Sequence, residues 1–244
     1  MRSSASSSSI GWAARSCPTG PSADNAGLIW PTVLVLALDT ATPTLVAGVA
    51  RRSEGGDVEV LAERAVPSGN RHAELLTVAV TEVLRDTGLA LADVDAVVTG
   101  LGPGPFTGLR VGVVTAAALG DARGLTVVGV CSLDAVGSGA RTVVTDARRK
   151  EVYWAAYASD GSRTGGPGVV RPEELAVSGP AVGDARFAER LGVEVTPAEV
   201  TTAGLVRAAA PQLADPASAA PLVPLYLRRP DAVPPTSFKP VTTS

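Results

Sequence analysis

The pattern of apolar and polar positions divides the first part of the chain into short strands and two helices. Apolar runs separated by tight Gly and Pro turns predict an antiparallel meander at the start of the fold. Residues 70–87 place apolar side chains at helical spacing, and Gly88 stands where a helix would end. A second helix is predicted over 107–122. The predicted strands are 33–38, 44–50, 58–66, 94–98 and 126–130.

The second part of the chain repeats this order more faintly. Residues 141–145 and 151–158 predict strands, and a third strand is expected near Val169. Two lobes of similar order, each a mixed sheet with helices outside, indicate a two-lobed α/β fold of the actin-like, ribonuclease-H-like class. The remaining predicted elements are a short helix at 172–176, a strand at 181–183 and a helix at 201–213.

Changes of composition suggest the domain boundaries. Residues 1–32 are rich in Ser and lack periodicity, so they predict a disordered leader or an artefact of the assigned translation start. Residues 33–132 form the expected first lobe and residues 133–230 the second. Residues 231–244 carry several prolines and predict a flexible tail.

Composition narrows the classes of function. The net charge of -3 gives no basic field for direct nucleic-acid binding. His72 is the only histidine, and the two cysteines are far apart, so we expect no metal site and no cofactor bound by this chain alone. No stretch is apolar and long enough to cross a bilayer. These features fit a cytoplasmic protein.

The run from Thr99 to Gly112 is the strongest local motif, because a predicted strand meets a helix through a turn rich in Gly and Pro. Gly104 allows a backbone conformation that side chains would forbid, and Thr107 is the expected N-cap of the helix. Free N–H groups at such a helix start can hold an anion. The alternative is a rigid turn with no ligand.

Small residues recur on one face of the second helix. Gly112, Ala116 and Gly120 stand four residues apart, and Val113 and Ala117 widen the face. Such a stripe lets another helix approach closely. It packs either inside its own lobe or against a partner protein.

Four further polar residues are ambiguous at the level of sequence. Asp39 and Thr40 end the first strand, where actin-like ATPases hold nucleotide, or they simply fix the turn. Asp146 is either a second nucleotide contact or part of a charged hairpin. His72 is expected at a helix end or an interface, because sequence supplies no nucleophile for it to activate.

These motifs, in this order, resemble the TsaB (YeaZ) family. The family's central GPGSFTGLRIG-like run is similar to Gly102–Gly112, with Pro105 in place of the usual Ser. Further similarity lies in Leu36–Thr42, Arg71–Leu76, Asp146–Tyr153 and Tyr226–Arg228.

The resemblance implies an actin-like fold without catalysis of its own. It implies pairing with a TsaD-like transferase, with a TsaE-like ATPase joining the assembly, for N6-threonylcarbamoylation of adenosine 37 in tRNAs that read ANN codons. Isolated family members often pair with themselves, and tRNA is met through the partner. The implied contact residues are Arg71, His72, Leu75, Leu76, Ala79, Val83, Leu109, Gly112, Val113, Ala116, Ala117 and Gly120. The implied vestigial nucleotide-facing residues are Asp39, Thr40, Gly104, Thr107 and Asp146.

Two alternatives remain open. In the first, the chain is itself a TsaD-like, metal-dependent carbamoyltransferase. In the second, it is a small actin-like kinase. A single histidine argues against the first, because TsaD-like enzymes hold their metal with paired histidines. ATP binding by the isolated chain would mark the second.

Overall fold

A computed structural model of the chain describes residues 32–69 and 71–228. The predicted leader, apart from Thr32, and the predicted tail lie outside the described residues, as does Asn70 at the predicted start of the first helix.

The first lobe is built on one mixed sheet of five strands. These are β1 (Thr32–Asp39), β2 (Thr44–Ser53), β3 (Val58–Pro67), β4 (Ala96–Gly100) and β5 (Thr126–Val130). Their order is β3-β2-β1-β4-β5. The first three strands pair antiparallel and the last two run parallel to β1, so the predicted meander is confirmed.

Two long helices, α1 (His72–Thr87) and α2 (Phe106–Arg123), cover one face of this sheet. Each ends at a glycine in the left-handed region, Gly88 with φ 68° and Gly124 with φ 66°. Glycine adopts this conformation without the steric cost of a Cβ atom. The apolar faces of both helices pack on the aliphatic side chains of the strands beneath them.

The second lobe repeats the sheet of the first. Its strands are β6 (Arg141–Asp146), β7 (Val152–Tyr157), β8 (Arg163–Val170), β9 (Ala181–Gly183) and β10 (Val195–Pro197). The order β10-β9-β6-β7-β8 is the order of the first sheet when strands are counted within each lobe. The repeat inferred from sequence is therefore confirmed, although β10 has only three residues and was not predicted.

The helices of the second lobe are short: α3 (Ala188–Leu191), α4 (Thr202–Ala208) and α5 (Ala210–Ala214). The prediction of one helix over 201–213 is wrong. Thr201 caps α4 by accepting a hydrogen bond from the N–H of Gly204, but the helix stops at Ala209. Helix α5 then begins at Ala210 with Pro211 in its first turn, because proline suits a first helical turn and lacks the N–H that a continuous helix needs.

One apolar core joins the two lobes. Val35 and Val98 of the first sheet, Val143 of the second and Leu205 of α4 belong to the same buried cluster. Helix α4 approaches β2 so closely that a Cβ atom at Gly48 would lie 2.0 Å from Thr202 Oγ1. The lobes are therefore packed against each other and share α4 between them.

Candidate functional site

The Gly/Pro loop between β4 and α2 is packed against the end of β1. A Cβ atom at Gly104 would lie 2.2 Å from the carbonyl oxygen of Ala41, so only glycine fits. Pro105 is the N-cap residue of α2 and carries no capping side chain. The prediction that Thr107 caps the helix is wrong, because extended Pro105 lets the helix begin at Phe106 and places Thr107 inside the first turn.

Asp39 is buried in a hydrogen-bond network. Its carboxylate accepts hydrogen bonds from the Ser132 hydroxyl at 2.5 Å and from the Ala41 N–H at 2.8 Å. Burial raises the pKa of Asp39 to about 6, although these two hydrogen bonds oppose the shift. A Cβ atom at Gly100 would lie 1.7 Å from the Asp39 carboxylate, so little room remains for a ligand there.

Thr40 ties β1 to α2. Its hydroxyl donates to the carbonyl oxygen of Gly108 at 2.7 Å and accepts from the N–H of Gly112 at 3.1 Å. Asp39 and Thr40 are both fully buried. They act as structural residues of the turn, which was the alternative to their predicted nucleotide-facing role.

The small-residue face of α2 is turned toward its own lobe. A Cβ atom at Gly112 would lie 2.4 Å from Thr40 Oγ1, and one at Gly120 would lie 2.2 Å from Val127 Cγ2. Ala116 is fully buried on the same face. The stripe therefore seats α2 on its sheet, and the prediction that it meets a partner protein is corrected.

Most of the predicted contact residues share this burial. Leu76, Ala79, Val83 and Ala116 belong to the core between the helices and the sheet, and the others are buried as well. The buried residues are His72, Leu76, Ala79, Val83, Leu109, Gly112, Val113, Ala116 and Gly120. Only Arg71, Leu75 and Ala117 of the predicted set are exposed or partly exposed.

The outward faces of the same two helices carry residues that the sequence analysis missed. Val78 of α1 is 52% exposed and Val114 of α2 is 62% exposed. Phe106, at the start of α2, is 55% exposed, stacks on Tyr226 and carries Arg110 over its ring. At these positions an apolar residue stands on the side of the helix where the pattern calls for polar residues. That irregularity in the sequence could have indicated an exposed apolar surface.

A pocket of about 350 Å³ lies between the start of α2 and the turn joining β6 to β7. Thr107 and His72 line it from the first lobe, and Arg148 faces it from the second. His72 is held in place because its Nε2 lies 3.1 Å from the carbonyl oxygen of Thr42, which requires Nε2 to carry the proton. Thr107 is the one predicted nucleotide-facing residue that lines this pocket.

Asp146 organises the β6–β7 turn. Its carboxylate accepts a hydrogen bond from the Arg148 N–H at 2.7 Å and lies 3.6 Å from the Arg186 guanidinium. Arg148, Arg149 and Lys150 all have positive φ, between 50° and 66°. The side chain of Asp146 is thus engaged in its own hairpin, as the alternative interpretation of this motif stated.

Within residues 32–69 and 71–228, no group of three or more His, Cys, Asp or Glu side chains could hold a metal ion. No helix in that part of the chain is long and apolar enough to span a membrane.

Known proteins resemble this chain in sequence and in fold. The family model described as TsaD, tRNA N6-adenosine threonylcarbamoyltransferase, matches residues 63–230. An uncharacterized protein of Mycobacterium tuberculosis H37Rv is 52% identical over 207 residues, which is 82% of this chain and 94% of the relative. The tRNA threonylcarbamoyladenosine biosynthesis protein TsaB of Haemophilus influenzae is 35% identical over 128 residues, which is 49% of this chain and 52% of that protein.

The solved structure of YeaZ from Pseudomonas aeruginosa superposes with a TM-score of 0.64 at 28% sequence identity. The match covers 80% of this chain and 100% of the YeaZ chain. Because this match covers most of the chain, the predicted actin-like class is confirmed. This chain belongs to the TsaB (YeaZ) family.

Proposed function

We propose that this chain acts in tRNA threonylcarbamoyladenosine biosynthesis as a non-catalytic subunit that binds and activates a TsaD-type transferase. The transferase would modify N6 of adenosine 37 in tRNAs that read ANN codons. The observation that carries the proposal is the outward face of α1 and α2, where Val78 and Val114 are more than half exposed. Exposed aliphatic side chains on adjacent elements are typical of a protein-binding surface.

The surroundings of these valines support a helix-packing contact. Arg71 and Glu74, both largely exposed, place charge at the start of α1, whereas Arg85 does so near its end. Charge at the margins and small uncharged residues in the middle are the usual anatomy of an interface. The exposed uncharged residues of the middle are Thr77, Val78, Thr81, Val114 and Ala118.

The engagement of Asp39 and Thr40 supports a subunit without chemistry of its own. In an actin-like enzyme, carboxylate and hydroxyl groups at this turn must be free to meet magnesium and phosphate. Here the Asp39 carboxylate is used by Ser132 and Ala41, and the Thr40 hydroxyl is used within α2. We therefore assign the transfer to the TsaD-type partner, with a TsaE-like ATPase joining the assembly and tRNA held by the partner.

Reconstitution tests this function. Purified TsaD-like and TsaE-like proteins of the same cell would be supplied with an activated threonylcarbamoyl donor and unmodified tRNA, with and without this chain. We expect modification of adenosine 37 to depend on its addition. Equal modification without the chain would contradict the proposal.

Calorimetry with Mg-ATP tests the kinase alternative on the isolated chain. We expect no heat of binding, because the residues that would meet the nucleotide are hydrogen-bonded within the fold. Saturable binding of Mg-ATP would favour the kinase over the partner subunit.

A further inference from the structure

The segment 219–228 runs across the junction of the two lobes and contacts both of them. In the first lobe, the N–H of Leu225 donates to the carbonyl oxygen of Leu101 at 2.8 Å, just after β4. In the second lobe, Arg228 Nη1 donates to the carbonyl oxygen of Ala147 at 2.9 Å. We call residues 219–228 the strap.

Side chains of the strap strengthen each of these attachments. The rings of Tyr226 and Phe106 stack with their centroids 5.0 Å apart, which joins the strap to the first residue of α2. Arg228 Nε lies 3.3 Å from the Glu151 carboxylate, and both side chains are largely shielded from solvent. Leu225 and Leu227 pack on the core that the lobes share. The strap is therefore anchored to both lobes through its last four residues, 225–228.

Each anchor stands next to a wall of the interlobe pocket. Phe106 lies between Pro105 and Thr107, which line the pocket from the first lobe. Ala147 precedes Arg148, which faces the pocket from the second. The strap thus connects both walls through residues adjacent to them.

The position of Arg148 depends on the turn that the strap holds. The Ala147 N–H donates to the Glu151 carbonyl oxygen, and the Glu151 N–H donates to the Arg148 carbonyl oxygen, both at 3.0 Å. Arg228 contacts the two outer residues of this turn, Ala147 and Glu151. Movement of Arg228 would release the turn that presents Arg148.

From these contacts we infer that the strap is a conformational device that sets the spacing of the two lobes at the pocket, with Tyr226 and Arg228 as its positioning residues. This property belongs to the chain alone and does not depend on the function proposed above. Without the strap, the shared core still joins the lobes, but the pocket walls lose their direct connection. The expected consequence is a wider range of interlobe distances.

Spin-label distance measurements test the inference. Labels at Thr77→Cys on α1 and Glu189→Cys on α3 would report the spacing, in a background with Cys17→Ser and Cys131→Ala. We expect a single narrow distribution for this reference protein. The added pair Tyr226→Ala and Arg228→Ala should broaden the distribution and shift it to longer distances.

Tyr226→Phe is the matched control, because it keeps the stacked ring and removes only the hydroxyl. Its distribution should equal that of the reference. If the double variant loses its thermal unfolding transition, the Tyr226→Ala variant carries the test, since this side chain is 45% exposed and its loss leaves the core intact. Unchanged distributions in a folded strap variant would overturn the inference.

Discussion

Asp39 and Ser132 form a buried hydrogen bond between the end of β1 and the connection that leads into the second lobe. The Ser132 hydroxyl also accepts a hydrogen bond from the Gly102 N–H at 3.1 Å. The backbone N–H of Ser132 donates to the Gly102 carbonyl oxygen at 2.8 Å. The loop that begins α2 is therefore held by a carboxyl group whose pKa is raised to about 6 by burial. Protonation of Asp39 and the stability of the fold are consequently linked.

The raised pKa of Asp39 predicts a decrease in stability as pH rises from about 4 to about 6. In this range the folded state retains a proton that the unfolded state, with the ordinary pKa of 3.8, has already released. Each unit of difference in pKa corresponds to about 1.4 kcal/mol of unfolding free energy. Above about pH 6 this contribution becomes constant.

Asp39→Asn isolates the effect, because every other ionisable group is common to both proteins. Urea unfolding of both across this pH range should show a difference in unfolding free energy that favours the Asn variant increasingly toward pH 6. Parallel pH profiles for the two proteins would contradict the assignment of this pKa.

Gly112→Ala should destabilise the protein by about 1–3 kcal/mol, as overpacking of a well-packed interior does. In an exposed helix the same change would stabilise by about 1 kcal/mol. The new Cβ atom would lie 2.4 Å from Thr40 Oγ1, which cannot move away without breaking its hydrogen bonds to α2.

Thr40→Ala provides the matched background for this test, because it removes the Oγ1 atom that the new Cβ atom at position 112 would meet. Denaturant unfolding should give a smaller cost for Gly112→Ala in that background than in the parent. Equal costs in the two backgrounds would show that Thr40 is not the obstacle.

The sequence of strands and helices along the first lobe was predictable, because turns and apolar periodicity agree along residues 33–130. The direction of the small-residue face was not predictable. Gly112 and Gly120 suit a close neighbour of any kind, and only the fold shows that the neighbours are Thr40 and Val127. The role of Ser132 was equally hidden, since its partner stands 93 residues earlier in the chain.

The site was predicted less well than the fold. The assignment of α1 and α2 to the partner contact stays a prediction, and most of the contact residues that the sequence named lie on the buried faces of these helices. A helix with one small-residue face and one face bearing Val114 has two candidate contact surfaces. Choosing between them requires knowledge of which face meets the sheet.

Arg141→Met should destabilise the protein by about 2–4 kcal/mol, because buried acceptors lose their donor. The Arg141 guanidinium donates to the carbonyl oxygens of Val136, Gly139 and Asp134 and lies 4.0 Å from the centre of the Tyr157 ring. Urea unfolding measures the loss. Arg85→Met is the surface control, since that side chain is 70% exposed, and it should change stability by less than about 0.5 kcal/mol.

Val114→Arg should weaken pairing with the TsaD-like protein while leaving the monomer folded. Val114 is 62% exposed, so an arginine side chain enters solvent in the free chain and meets the partner only in the complex. Ala116→Arg would not serve as a test of pairing. Ala116 is fully buried against the sheet, and a charge placed there should unfold the chain.

Val193→Arg is the matched control, because Val193 is a 37% exposed valine of the second lobe, away from α1 and α2. Both arginine variants should show a thermal transition close to that of the parent chain.

The most direct test of the partner-subunit account is size-exclusion chromatography of this chain mixed with the TsaD-like protein of the same cell. The account predicts a stable complex for the parent chain and for Val193→Arg, and an affinity about tenfold or more weaker for Val114→Arg. Absence of a complex with the parent chain, or undiminished pairing by Val114→Arg, would contradict it.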